Sequence, residues 1–330
     1  MKTIIITGGS GFIGSALVKH FIKLNHKVIN IDKLTYASKK NSKYNDIKAK
    51  NYFFFKKNIT DRNFLNKIFK KYKPDYVINC AAETHVDNSI KNSKNFISSN
   101  ILGTYCLLEE ARLHYKSIKK KFRFLQISTD EVYGDVKGKK KSIENDVLIP
   151  SSPYSSSKAA ADNLVLSWYR TYNLPVLITR SANNYGPLQH SEKLIPVIIK
   201  NLINNKKIPM YGNGNQMREW IYVDDNVDCI AKVLFKGKIG QIYNIGSNNV
   251  KKNISLIKII IKIFIKLKII KKNKNQLIKK VSDRPGHDIK YSMNTKKINN
   301  QLKWSPKFSL SDGLLNTINW YLKNKKFLDV

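Results

Sequence analysis

The sequence predicts an α/β fold, a doubly wound parallel sheet followed by a smaller C-terminal region. Three observations carry that expectation. Short runs rich in Ile, Val and Phe alternate with longer amphipathic stretches, as parallel strands alternate with their crossover helices. A glycine-rich turn, Thr7-Gly8-Gly9-Ser10-Gly11-Phe12-Ile13-Gly14, joins the first such run to the first amphipathic stretch. Beyond about residue 182 the rhythm becomes irregular, with turn signals at Asn184-Tyr185-Gly186-Pro187 and Gly212-Asn213-Gly214-Asn215.

In chain order, the apolar runs place strands over 2–7, 27–32, 52–58, 75–82, 122–129 and 175–180. The first contains Ile4-Ile5-Ile6, an uninterrupted β-branched run of the kind that a strand buried on both faces carries. The stretches between them predict helices over 12–24, 61–72, 96–115 and 154–172. A late strand-like piece, 241–245, is placed to return to the first sheet, so the expected division is 1–181 together with about 222–247 against the remainder of 182–330. The length of 330 residues accommodates this division. No repeat of 20–50 residues is visible.

Composition narrows the function classes. Lys and Arg number 60 against 23 acids, a formal charge of +37, which by itself points to a polyanion. Only seven of those bases are Arg, however, and the Lys are spread throughout the chain among Asn and Ile. Nucleic-acid sites prefer Arg for forked contacts, so no specific nucleic-acid partner is expected. Cys80, Cys106 and Cys229 are odd in number and far apart, which predicts neither a disulfide framework nor a metal site. The N-terminus shows no apolar stretch with a cleavage site, and a cytoplasmic location is expected. The most membrane-like segment, 254–270, is interrupted by Lys258, Lys262, Lys266 and Lys268 and reads as a packed surface helix with one basic stripe.

The glycine turn sits where a dinucleotide pyrophosphate meets free backbone N–H groups and the positive end of a helix. Gly8, Gly11 and Gly14 would let the phosphates approach the backbone, and Asp32, at the end of the second strand, would accept hydrogen bonds from ribose hydroxyls. Asp32 disfavours a 2′-phosphate, so NAD is the expected cofactor, with Lys33 a small opposing influence. Downstream, Ser152-Pro153-Tyr154-Ser155-Ser156-Ser157-Lys158 puts Tyr154 and Lys158 four residues apart on one helix face. A phenol near pKa 10 needs its anion stabilised by roughly 3 units, about 4 kcal/mol, to act as a base near neutrality. Lys158 and a nicotinamide positive charge are the cations available. With the glycine turn and Ser128-Thr129 at a strand end, this pattern resembles the extended short-chain dehydrogenase/reductase superfamily, whose Rossmann-type sheet it implies.

Asp130 and Glu131 follow directly. Two acids are of use beside a Tyr/Lys site that oxidises a sugar at C4. The new ketone acidifies the C5 proton, a base removes it, and an acid helps the C6 hydroxyl leave as water. The expected roles are Glu131 as the C5 base, Asp130 as the C6 acid and Thr129 as a hydrogen-bond partner of the C4 oxygen. Over nearly all 330 residues the chain resembles the nucleoside-diphosphate-glucose 4,6-dehydratase family. The resemblance also rests on Leu34-Thr35-Tyr36-Ala37, Ala81-Ala82-Glu83-Thr84-His85-Val86-Asp87, Asn100-Ile101-Leu102-Gly103-Thr104, Asn183-Asn184-Tyr185-Gly186-Pro187, Glu192-Lys193-Leu194-Ile195-Pro196 and Asp283-Arg284-Pro285-Gly286-His287-Asp288.

The resemblance implies that Phe12, Ile13, Asp32, Thr35, Ile59, Ala81, Ala82, Thr84, Tyr154 and Lys158 line the NAD site. It places His85, Asn183, Glu192, Lys193 and Leu194 around the sugar, and Arg218, Asn253, Arg284 and His287 at the diphosphate and nucleoside. It further implies a homodimer packed through the helices near 96–115 and 154–172, and a dTDP-glucose substrate feeding rhamnose-type deoxysugar synthesis. UDP-glucose with the same chemistry is the alternative, and a non-catalytic nucleotide-sugar or nucleic-acid binder on this fold a further one. Two departures stand out: Asn58-Ile59 where the family usually has Asp-Ile, and Gln189-His190-Ser191 where Phe-Pro is common.

Overall fold

The computed structural model describes residues 1–38, 47–118, 121–271 and 277–328. Its main sheet is built from β1 (Thr3–Thr7), β2 (Lys27–Asp32), β3 (Tyr52–Lys56), β4 (Tyr76–Asn79), β5 (Arg123–Thr129) and β6 (Val176–Ser181). The chain continues through β7 (Asn183–Tyr185), β8 (Ile208–Tyr211) and β9 (Met217–Tyr222), then β10 (Ile242–Ile245), β11 (Val250–Lys252) and β12 (Ile278–Val281). The large sheet runs β10-β6-β5-β4-β1-β2-β3 and is parallel throughout. Ile4, Ile5 and Ile6 are all fully buried, since helices cover both faces of the sheet.

The order reverses between β1 and β4, and a sheet of this kind opens its crevice there. Register sets the floor of that crevice: Thr7 stands level with Ile31 and with Asn79, so the first glycine turn, Asp32 and Cys80-Ala81-Ala82 meet at one rim. Thr129 pairs with Ser181 farther along the same rim. The later chain builds a three-stranded sheet, β11-β9-β7, and a parallel pair, β12-β8, around its own apolar core of Ile195, Ile199, Leu256, Ile260, Phe264 and Leu314.

The late strand does return to the large sheet, with β10 parallel to β6 and the helix Val223–Lys236 packed on the same side. Three elements differ from the sequence reading. The run expected over 75–82 leaves the sheet after Asn79, whose amide donates to Thr104 Oγ1 at 3.0 Å and Gln126 Oε1 at 2.9 Å, and the following residues wall the crevice instead. The helix expected over 96–115 contains a π turn, Ile97–Leu102, before α-helix resumes at Gly103–Ser117. Gly103 faces Ile59 so closely that a Cβ would lie 2.5 Å from its Cδ1, and a packing constraint of this kind is invisible to periodicity. The basic-striped helix is shorter than expected, Asn253–Lys266, with Leu256, Ile257, Ile260, Ile261 and Phe264 buried and Lys258, Lys262 and Lys266 exposed. No helix among the described residues is long and apolar enough to cross a membrane. Cys80, Cys106 and Cys229 are free thiols, and the described residues contain no cluster of metal-ligating side chains.

Candidate active site

A cavity of about 510 Å³ opens at the carboxyl ends of the large sheet and extends to the β12-β8 pair. Its inner wall begins at the glycine turn. Gly8 has φ +67°, and a Cβ there would lie 2.7 Å from the Ala81 Cα; a Cβ on Gly14 would lie 2.0 Å from the Gly8 carbonyl oxygen. Larger residues cannot hold this turn. The helix Phe12–Lys23 starts at Gly11 with no side-chain cap, which leaves its first N–H groups for an anion.

Asp32 sits at the next strand end, where its Oδ2 accepts from the Ser10 N–H at 3.0 Å and its Oδ1 from the Leu34 N–H at 2.8 Å. Burial raises its carboxyl above the usual range, and those backbone donors oppose the rise. Lys33 is turned onto Glu83, 3.1 Å away, and donates to Ser99 Oγ at 2.8 Å. Asn58 accepts from the Thr60 N–H at 3.2 Å, so its amide oxygen fills the local turn role that a carboxylate would fill. Phe12, Ile13, Thr35, Ile59, Ala81, Ala82 and Thr84 all face this part of the cavity.

The helix Pro153–Tyr172 begins with a capping box, in which Ser152 and Ser155 satisfy each other's backbone. That fixed start aims Tyr154 and Lys158 into the cavity. The Lys158 ammonium donates to the Ile127 carbonyl at 2.6 Å, and burial holds its pKa below that of a free lysine, opposed by the charge of Asp162. Burial, and then the charge of Glu131, pushes the Tyr154 phenol upward, while a hydrogen bond from Thr129 pulls it back. Without an added positive charge this phenol stays protonated.

Thr129, at the end of β5, caps the short 3₁₀ turn Asp130–Tyr133 by accepting from the Glu131 N–H at 3.3 Å. The two acids, adjacent in sequence, part company here. Glu131 lines the cavity, whereas Asp130 is buried behind the wall and is the one expected site residue absent from the lining. Asp130 Oδ1 accepts from the Thr129 hydroxyl at 3.2 Å, and its Oδ2 has no partner. Burial pushes Asp130 well above the carboxylate range, reinforced by Glu131 and Glu219; burial also raises Glu131, but Arg218, Arg284 and Lys193 oppose that rise. Glu131 thus borders the cavity, and Asp130 lies at hydrogen-bond distance from the Thr129 hydroxyl, which also lines it.

The outer half gathers His85, Asn183, Glu192, Lys193, Leu194, Arg218, Asn253, Arg284 and His287, every one on the cavity wall. Lys193 donates to the Thr84 carbonyl at 2.8 Å. The Glu192 carboxylate lies 3.4 Å from His190 Nδ1, accepts from the Tyr36 hydroxyl at 3.3 Å and stands 3.9 Å from His85 Nε2. His190 thus has a polar partner at a position where the resemblance leads one to expect Phe or Pro. Arg218 stacks 4.2 Å above the Tyr291 ring and donates to the Asp288 carbonyl at 2.9 Å. His287 Nδ1 and Asp283 Oδ1 are 2.6 Å apart.

Sequence reasoning assigned no role to Asn100, which accepts from the Glu83 N–H at 2.9 Å and donates to Ser157 Oγ at 2.8 Å, tying the cofactor wall to the Tyr/Lys helix. Its presence in the Asn100-Ile101-Leu102-Gly103-Thr104 motif was the available signal. Asp87 and Tyr211 were also given no role, although both line the cavity.

Comparison with known proteins agrees with this geometry. A family model described as GDP-mannose 4,6 dehydratase matches residues 5–317. A dTDP-glucose 4,6-dehydratase from Haemophilus influenzae is 46% identical over 336 residues, covering 98% of this chain and 99% of that one. The crystal structure of a Bacillus anthracis dTDP-glucose 4,6-dehydratase in complex with NAD superposes with a TM-score of 0.88 at 38% identity, over 100% of this chain and 99% of that one. A dTDP-glucose 4,6-dehydratase from Streptomyces venezuelae, solved with NAD bound, gives 0.91 at 36% identity, over 98% of each chain. A match of this identity along nearly the whole length, on a cavity that holds the expected side chains, means that the chain belongs to the dTDP-glucose 4,6-dehydratase family.

Proposed function

We propose that the protein binds NAD and converts dTDP-glucose into dTDP-4-keto-6-deoxyglucose. The observation that carries this reading is the separation of the acid pair beside Tyr154: Glu131 borders the cavity with Arg218, Arg284 and Lys193 opposing the upward push of burial, whereas burial and two neighbouring acids push Asp130 further toward its protonated form. Two carboxyls driven apart in this way divide acid and base duties.

The uncapped helix start, the close-packed glycines and Asp32 fit a dinucleotide, and Lys33, occupied by Glu83, offers no free cation to a 2′-phosphate. NAD, when bound, supplies the hydride acceptor at C4, the later hydride donor at C6 and a positive charge beside the phenol. Tyr154 then takes the C4 hydroxyl proton, with Lys158 lowering the cost of its anion and Thr129 holding the C4 oxygen. Glu131 removes the C5 proton. Asp130 supplies the proton with which the C6 hydroxyl leaves as water. Arg218 and Arg284 supply the diphosphate donors, Asn253 and His287 flank the nucleotide, and His85, Asn183, Glu192, Lys193 and Leu194 enclose the hexose.

In this reading residues 1–181 with about 222–247 form the cofactor half, and the remainder of 182–330 forms the nucleotide-sugar half. A homodimer joined through the helices Gly103–Ser117 and Pro153–Tyr172 is supported by exposed Ile97, Leu102, Leu113 and Tyr172 on and before them. A cytoplasmic location and a place in rhamnose-type deoxysugar synthesis belong to the same proposal. The test is incubation with dTDP-glucose or UDP-glucose in deuterium oxide, followed by mass spectrometry. The expected product from dTDP-glucose has lost water and carries one deuterium at C5; turnover of UDP-glucose alone, or of neither, would overturn the substrate assignment.

A further inference from the structure

Asp87 closes the outer cavity through a contact that the proposed chemistry does not use. It is the second residue of the short helix Val86–Lys91, on the large-sheet side of the cavity. Its Oδ1 lies 3.4 Å from Arg284 Nη1, and its Oδ2 accepts from the Tyr211 hydroxyl at 3.2 Å. Tyr211 ends β8 and Arg284 follows β12; these strands pair with Tyr211 level with Val281, so both partners of Asp87 are braced on one two-stranded sheet. The strap therefore crosses the cavity from one half of the molecule to the other.

Arg284 is only partly satisfied by this contact. The distance is long for a charge-assisted bond, and the Nε of the same guanidinium is buried with no partner. A diphosphate offers the forked acceptor that the unused edge lacks, but its negative charge would then stand against the Asp87 carboxylate. We propose that Asp87 is a positioning residue that holds Arg284 across the cavity in the substrate-free enzyme and is displaced by the diphosphate, so that Asp87 weakens nucleotide binding and speeds nucleotide release. This rests on the reading above that Arg284 meets the diphosphate.

The test is calorimetric titration of the NAD-loaded enzyme with dTDP, for the wild type, Asp87→Asn, Arg284→Gln and the double variant. A partly exposed ion pair supports an effect of about three- to fivefold, so Asp87→Asn is expected to tighten dTDP binding by that factor. Arg284→Gln is expected to weaken it, and in that background the tightening by Asp87→Asn shrinks to what direct charge repulsion leaves. A merely structural role for Asp87 gives looser binding on its removal, and that result overturns the proposal, as does tightening that persists undiminished without Arg284. If Arg284→Gln leaves dTDP affinity intact, the diphosphate reading of Arg284 falls and the strap falls with it. If only Asp87→Asn fails, that reading stands and the strap alone is lost.

Discussion

Replacing Asp130 by Asn is expected to make the protein more stable and far less active at once. The carboxyl is 1% exposed, one of its oxygens has no partner, and its nearest charged influences include the acids Glu131 and Glu219. A buried polar atom left without a partner costs about 1–3 kcal/mol, and more when it is charged. The amide cannot ionise, keeps an oxygen for the Thr129 hydroxyl and turns an N–H₂ donor toward a region of carboxylates. The expected gain is about 1–3 kcal/mol at neutral pH. For a chain of 330 residues, with an unfolding entropy near 0.7 kcal/mol/K, this is a rise of about 1–4 °C in melting temperature. The pH dependence has a definite sign. Because the folded-state pKa of Asp130 is raised, the wild type loses stability as pH rises from the free carboxylate range, about 4, through the folded value; the variant's advantage therefore grows with pH and disappears in acid. Thermal melting of both proteins across that range measures the stability, and steady-state turnover of dTDP-glucose measures the activity, expected to fall about 100- to 10,000-fold. A variant that melts lower than the wild type at neutral pH, or that turns over normally, would refute the reasoning.

The remaining expectations follow the same geometry. Glu131→Gln should leave formation of reduced nicotinamide intact, seen by its near-ultraviolet absorbance, while abolishing deuterium exchange at C5; Tyr154→Phe should prevent that absorbance from appearing at all. Normal exchange in the first variant or normal turnover in the second removes the assigned role. Because burial raises Glu131, turnover should climb with pH through its folded pKa as the base form accumulates, and a flat acidic limb would contradict this. Asp162→Asn should cost about 3–5 kcal/mol in urea unfolding, because Arg180 Nε, 2.9 Å from Asp162 Oδ2, would be left as a buried cation without its partner. A loss below about 1 kcal/mol would mean that the pair is not a structural charge lock.

What the sequence made legible was local. Tyr154 and Lys158 share a face because four residues are about one helical turn, and Gly8, Gly11 and Gly14 can be read as a phosphate turn because a strand precedes them and a helix follows. Adjacent carboxyls offered no such guide. Whether Asp130 and Glu131 point the same way depends on the 3₁₀ turn that Thr129 caps, and the turn sends one through the wall and the other behind it. Contacts across long stretches of chain were equally hidden: Lys33 with Glu83, and Asp87 with Arg284, 197 residues away, exist only because the cavity brings separate strand ends together. The Asn184-Tyr185-Gly186-Pro187 signal was read as a turn, yet its first two residues belong to strand β7, Asn183–Tyr185, and the turn begins at Gly186, φ +153°.

The π turn at Ile97–Leu102 holds an extra residue relative to α-helical winding, and Asn100 lies within it. Deleting one residue from this segment would let it rewind as continuous α-helix with its flanks close to their present phase, and would re-aim the side chains of the turn itself. Asn100 would then lose Glu83 and Ser157 together, unhooking the cofactor wall from the Tyr/Lys helix with no charged residue altered. A length change of one residue there is thus a more disruptive lesion than many substitutions, and insertions or deletions in this helix should be excluded from functional variants.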